Sequence, residues 1–178
     1  PVETVEEITP EEAAAAERRK KAEEAAADRY ESEDGWSVSY NSELVDLEEG
    51  KGYVRFTYNG DANATNRIEF RYYPYTSTDI VLADVTEDYD REALERSEGY
   101  FAGRTDVWSL RTSMQSEVIP GTREDFIAVE RNGGTLLLQI TTAEQADEET
   151  GIRVSDALAA IVDSFELKDQ EPQTYSAG

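Results

Sequence analysis

Several short stretches of this chain alternate hydrophobic with polar residues, and the clearest is residues 125–141, DFIAVERNGGTLLLQIT. Asn132-Gly133 supplies two positions that tolerate positive φ, as a two-residue type I′ turn requires. Apolar runs flank it, so the segment predicts a β-hairpin. If Arg131 faces Gly134, then Val129 meets Leu136 and Ile127 meets Leu138. A turn at Gly133-Gly134 would slip the register by two and keep the same faces. Either way Ile127, Val129, Leu136, Leu138 and Ile140 share one face, and Glu130, Thr135 and Gln139 share the other. The pattern predicts an antiparallel sheet with one buried side.

The same period of two recurs elsewhere. Trp36, Val38 and Tyr40 alternate with serines. Val54, Phe56 and Tyr58 alternate with Arg55 and Thr57, and Ile68, Phe70 and Tyr72 with Arg67, Glu69 and Arg71. The last two segments, either side of the polar loop at 59–66, are expected to pair. Residues 41–52 read as a loop with one helical turn. Residues 78–97 change to helical spacing, with Ile80, Val81, Leu82 and Val85 as a short apolar face, capped by Ser77 or Thr78 and broken near Asp90. A short strand follows at 99–103. Residues 107–118 form a long strand with Trp108, Leu110, Thr112, Met114 and Val118 inward and Ser109, Arg111, Ser113, Gln115 and Glu117 outward. Pro120-Gly121 fits the centre of a type II turn. The final helix, 155–165, places Val154, Ala157, Leu158, Ile161, Val162 and Phe165 on one face, over the apolar side of the sheet.

The first 33 residues differ in character. Thr9-Pro10-Glu11-Glu12 is a helix start with a capping box, and the Ala/Glu/Lys/Arg run that follows predicts a helix to about Tyr30. It carries no apolar stripe, so it reads as a semi-rigid spacer. The expected organisation is a spacer helix at 1–33, a single α+β domain at 34–168 and a patternless, disordered tail at 169–178. The chain starts at Pro1 without a methionine, which implies a segment removed upstream.

Composition narrows the chemistry. Forty acidic against 17 basic residues give a net charge of −23, which repels nucleic acid and anionic membranes. There is no cysteine and no histidine, which excludes disulfides, thiolate catalysis and every Ser-His or Cys-His arrangement. The acidic runs at 87–90 and 147–149 and the Asn/Asp loop at 59–66 lack calcium-loop spacing and read as solvated loops, so no metal or cofactor is expected. Asn63-Ala64-Thr65 is a glycosylation sequon of consequence only in a eukaryotic secretory setting.

Three stretches together resemble the Mog1/PsbP-like group of folds, as found in bacterial lipoproteins and photosystem-associated extrinsic proteins. They are GWSVSYNSELVDLEEGKGYVRFTY, the strand-to-helix step YYPYTSTDIVLADV, and the closing VSDALAAIVDSFEL helix after the NGG hairpin. The resemblance spans residues 35–167. It implies an antiparallel sheet of six to seven strands with packed helices and no shared catalytic motif, hence a noncatalytic binding or structural module. No functional residue is carried over. The Ala-rich segment before the domain is also similar to the spacer behind a lipid-modified N-terminus in secreted Gram-positive proteins. That implies an extracytoplasmic protein, secreted or anchored by a lipid upstream of this chain, whose partner is a protein or cell-envelope component.

The residues singled out for binding are four arginines, Arg55, Arg67, Arg71 and Arg111, expected together on the polar face of the sheet. Forked guanidiniums there would hold a carboxylate, a phosphate or an acidic partner. The structural alternative is cross-strand pairing with Glu69, Glu117 and Glu130. Tyr73 and Tyr75, beside Pro74, are candidate aromatic surface contacts. A carboxylate-dependent hydrolase is the competing function, although no feature selects a pair of acids at a glycosidase separation.

Overall fold

The computed structural model describes residues 9–26, 28–60, 65–101, 107–116 and 119–168. In chain order the elements are α1 (Pro10–Ala25), β1 (Asp28–Glu31), β2 (Trp36–Tyr40), β3 (Val45–Gly50), β4 (Tyr53–Tyr58), β5 (Arg67–Tyr73), α2 (Thr78–Val85), β6 (Glu95–Tyr100), β7 (Trp108–Gln115), β8 (Thr122–Arg131), β9 (Gly134–Ala143), α3 (Glu148–Asp163) and β10 (Glu166–Leu167). A single turn of 3-10 helix, Arg91–Ala93, lies between α2 and β6.

The NGG hairpin is the centre of a seven-stranded antiparallel sheet ordered β3-β4-β5-β9-β8-β7-β6. Its register is the one expected: Arg131 pairs with Gly134, Val129 with Leu136 and Ile127 with Leu138. Asn132 and Gly133 sit at φ 51 and 75, as a type I′ turn needs. Gly121 sits at φ 77, and the Thr122 amide donates to the Ile119 carbonyl across the Pro120-Gly121 turn. β4 and β5 pair as expected.

Several expectations change. The 41–52 loop is the edge strand β3, folded onto β4 through Lys51-Gly52 with Gly52 at φ 80. Its exposed Asp46, Glu48 and Glu49 hide the strand pattern while suiting an edge that must not recruit another chain. The N-terminal helix stops at Ala25 instead of Tyr30, and Asp28–Glu31 pairs with β2. β2 also takes up β10, forming a second, three-stranded sheet. The helix after Pro74 is only eight residues long, and the strand expected at 99–103 runs from Glu95 to Tyr100. The final helix begins earlier, at Glu148, because the Asp147 carboxylate caps it by accepting from the Thr150 amide at 2.7 Å. Last, the sheet buries both faces. The tail at 169–178, the strand ends at Gly103 and Val118, the partner Glu117 and the sequon asparagine lie outside the described residues.

The larger core lies between one sheet face and α3 with the small sheet. Trp36 stacks on Phe70 at 4.1 Å, and Phe70 on Phe165 at 6.4 Å; Ile68, Leu136, Leu138 and Ile161 fill the remainder. The opposite face carries a smaller core in which Val81 and Leu82 of α2 cover Met114, Phe126, Ala128 and Leu137. The run FIAV and the triplet LLL in the hairpin are apolar at both parities, the signature of a strand buried on two sides. Outside these layers, α1 lies along α3, where the Arg18 guanidinium approaches Asp156 at 3.8 Å. Apart from Ala15 it is exposed at nearly every described position, in keeping with its lack of an apolar stripe.

Candidate functional site

The pleat decides where each arginine goes. β4 and β5 pair Arg55 with Glu69 and Thr57 with Arg67, and β5 and β9 pair Arg71 with Leu137. These three arginines therefore share the α2 side of the sheet. β7 and β8 pair Arg111 with Ile127, which belongs to the α3 side. The four do not form one face. The cause is the second core: Leu110 and Met114 point toward α2, so the outward positions of β7 fall on the opposite side from those of β4 and β5.

Arg55 and Arg71 converge on one carboxylate. Glu69, 6% exposed, accepts from Arg55 Nε at 3.1 Å and Nη2 at 2.7 Å through Oε1, and from Arg71 Nε at 2.7 Å through Oε2. Burial pushes the Glu69 carboxyl up, but the hydrogen bonds from Arg71 and Arg55 outweigh it and hold the group below its ordinary range. Arg55 also meets Glu48 at 3.3 Å. Both guanidiniums lie over the Tyr53 ring, at 4.8 Å and 5.1 Å from its centroid, and Tyr53 donates to Glu48 at 3.1 Å. The result is a locked ion-pair network on the half of this face that α2 leaves open. Cross-strand pairing with Glu69, the structural alternative, is what the arginines do. Arg71 is the more open of the two, with a side chain 39% exposed.

Arg111 forms a separate pair with Asp125 at 3.1 Å, beside α3. Tyr73 packs against the smaller core. Tyr75 is 95% exposed, at φ 58 in the turn after Pro74. A tyrosine in left-handed backbone is strained, and the turn is tied down by hydrogen bonds from Thr135 Oγ1 to the Thr76 carbonyl at 2.8 Å and from Thr76 Oγ1 to the Pro74 carbonyl at 3.0 Å.

The geometry gives carboxylate catalysis no support. A general acid needs its proton held at neutral pH, whereas Glu69, the most buried described carboxylate, is clamped in its ionised form by two cations. Among the described residues no three acidic side chains converge as a metal site does.

One feature has no counterpart in the sequence reading. A cleft of about 600 Å³ opens where the small sheet meets the β3–β4 hairpin, walled by Glu31, Glu33 and Asp34 on one side and Glu49, Gly50, Gly52 and Tyr53 on the other. Its acidic residues come from β1, β3 and the turn after β1, none of which announces itself as a strand, so no alternation pattern joined them.

No protein-family model matches the chain, and no curated protein matches its sequence. Among solved structures it is similar to the solution structure of cyanobacterial PsbP (CyanoP) from Synechocystis sp. PCC 6803, at 13% identity and a TM-score of 0.50, over 80% of this chain and 93% of that one. It is also similar to a crystal structure from Bacteroides thetaiotaomicron VPI-5482, at 13% identity and a TM-score of 0.43, over 82% of this chain and 50% of that one. The first likeness shows the fold, which is PsbP-like. No described helix is long and apolar enough to cross a membrane.

Proposed function

Starting from a PsbP-like fold whose charged sheet face is closed on itself, we propose that the chain is a noncatalytic, extracytoplasmic binding or structural module that meets a protein or cell-envelope component without transforming it. The observation that carries this reading is the Glu69 clamp: the most buried acid among the described residues is spent on holding Arg55 and Arg71 in place, which makes a rigid surface instead of a proton donor. Arg71 is the contact that this surface offers outward, and Tyr75 stands exposed in the turn after β5. The extracytoplasmic setting is supported by the polar, Ala-rich N-terminal segment, which is similar to the spacer behind a lipid-modified N-terminus.

Two measurements test the proposal. Purified chain is assayed against aryl glycosides, carboxylic esters and phosphate esters; the expected result is no turnover above buffer, and turnover lost in Glu69→Gln would overturn it. The gene with its natural upstream segment is expressed in a Gram-positive host, and intact cells are treated with protease. Digestion of the surface protein is expected, and protection would contradict the location.

A further inference from the structure

The cleft between the small sheet and the β3–β4 hairpin combines two chemistries seldom joined by accident. Its inner surface is aromatic. Trp36 and Phe70, each 1% exposed, stack on each other beneath it, and the partly buried rings of Tyr30, Tyr53 and Tyr72 line it, Tyr30 at 5.4 Å from Trp36. Its rim is acidic, with Glu31, Glu33, Asp34 and Glu49, and no lysine or arginine lines it. Glu31 is engaged by Arg29 at 3.8 Å and by Lys168 at 4.0 Å. Glu33, Asp34 and Glu49 have no ion pair among the described residues.

The negative field converges inside the cleft. Tyr30's phenol is pushed up to about 12, first by burial, then by its hydrogen bond to Glu49 and by the charges of Glu49, Asp34 and Glu33. Asp34 also acts on Tyr72, whose phenol burial and that charge raise. The tyrosine rings and the carboxylates without an ion pair attract the same group, a cation on an apolar stem, as Tyr53 already attracts the Arg55 and Arg71 guanidiniums. The acids are spread around the cleft instead of meeting at a point, which suits an extended organic cation better than a metal ion.

We propose that this cleft receives the lysine or arginine side chain of a basic segment of a partner protein. This rests on the binding-module reading and gives that module a partner chemistry. A protein segment is favoured over a free amine because the site extends past the cleft. Tyr75, almost wholly exposed, stands three residues after the cleft-lining Tyr72, in the turn that leaves β5, where a bound chain would cover it and a small amine would not. Charge complementarity on a molecule of net charge −23 supplies the long-range attraction.

The test is a titration of the full ¹⁵N-labelled chain, in about 0.15 M salt so that unspecific attraction is screened. The probes are a lysine heptapeptide, an arginine heptapeptide, a glutamate heptapeptide and spermidine. The basic peptides are expected to shift amides at residues 30–34 and 49–53 saturably, and the glutamate peptide to shift none. Removing three rim carboxylates (E33Q/D34N/E49Q) is expected to weaken peptide binding about tenfold, from about 0.5 kcal/mol per exposed charge. The control D84N/E87Q/D88N removes equal charge elsewhere and should change affinity less than about twofold. Tyr75→Ala, a substitution at an exposed ring that leaves the cleft intact, should weaken the peptide by about three- to tenfold and spermidine not at all.

Absence of saturable shifts, or equal losses in the rim and control variants, would overturn the site. Tighter binding of spermidine than of either basic peptide would overturn the protein-segment assignment. Either failure leaves the noncatalytic reading to its own turnover assay, so the two are separable.

Discussion

The two faces of the seven-stranded sheet are built from the same strands and do different work. The face toward α3 and the small sheet is closed by a continuous aromatic and aliphatic core, including Trp36, Phe56, Phe70 and Phe165. The face toward α2 is split: a small core lies under an eight-residue helix, and beside it the charged half is held by Glu69, Arg55 and Arg71. One face supplies cohesion. The other combines modest cohesion with a rigid display of charge.

Substitutions on the two faces sharpen that contrast. Phe70→Ala, which removes a ring that touches Trp36, Phe56 and Phe165, should cost about 3–5 kcal/mol in denaturant unfolding. Met114→Ala, in the smaller core, should cost about 2–3 kcal/mol, the lower part of the range for a buried methionine. Equal losses at the two positions would erase the distinction between the faces.

Glu69→Ala should cost about 1–3 kcal/mol, because it strands the donors of two guanidiniums that are themselves partly exposed. Its pH dependence has a definite sign. The Glu69 pKa is depressed in the folded state, so its contribution is present above the unfolded carboxylate value and is lost as pH falls through the folded value. Glu69→Gln should therefore flatten the acid side of the stability profile, measured by urea unfolding from neutral pH downward. The smallest effect belongs to Arg111→Ala, under about 1 kcal/mol, since this half-exposed arginine holds one carboxylate. A larger loss there would mean that the α3 side carries an ionic network of its own.

The sequence made part of this division legible. Asn132-Gly133-Gly134 located the turn, and either register it allows puts Val129, Leu136 and Leu138 on one face, that of the main core. Arg55 and Arg71 could be set beside Glu69 because β4 and β5 are consecutive strands with unambiguous alternation. Arg111 was misplaced for a specific reason: Leu110 and Met114 are apolar, and one apolar face was taken to mean one core. Phe126, Ala128 and Leu137 contradict that assumption, being apolar at the opposite parity within the same hairpin. β1 was hidden because DRYE continues a run of helix formers, and only Tyr30's contacts with Trp36 and Phe56, distant in sequence, make it a strand. The acidic cleft was beyond sequence reasoning because its two walls meet only through that strand and the edge strand β3.

Native-state hydrogen exchange of the whole chain tests the two-face division most directly. Amides of β5 and β9, shared by both cores, should exchange only through global unfolding. Amides of α2, which rests on the small core alone, should open through a separate, lower-energy step, visible as a smaller exchange free energy that is insensitive to low denaturant. Exchange of α2 with the same free energy and denaturant slope as β9 would contradict the account and make the sheet and both its covers one cooperative unit.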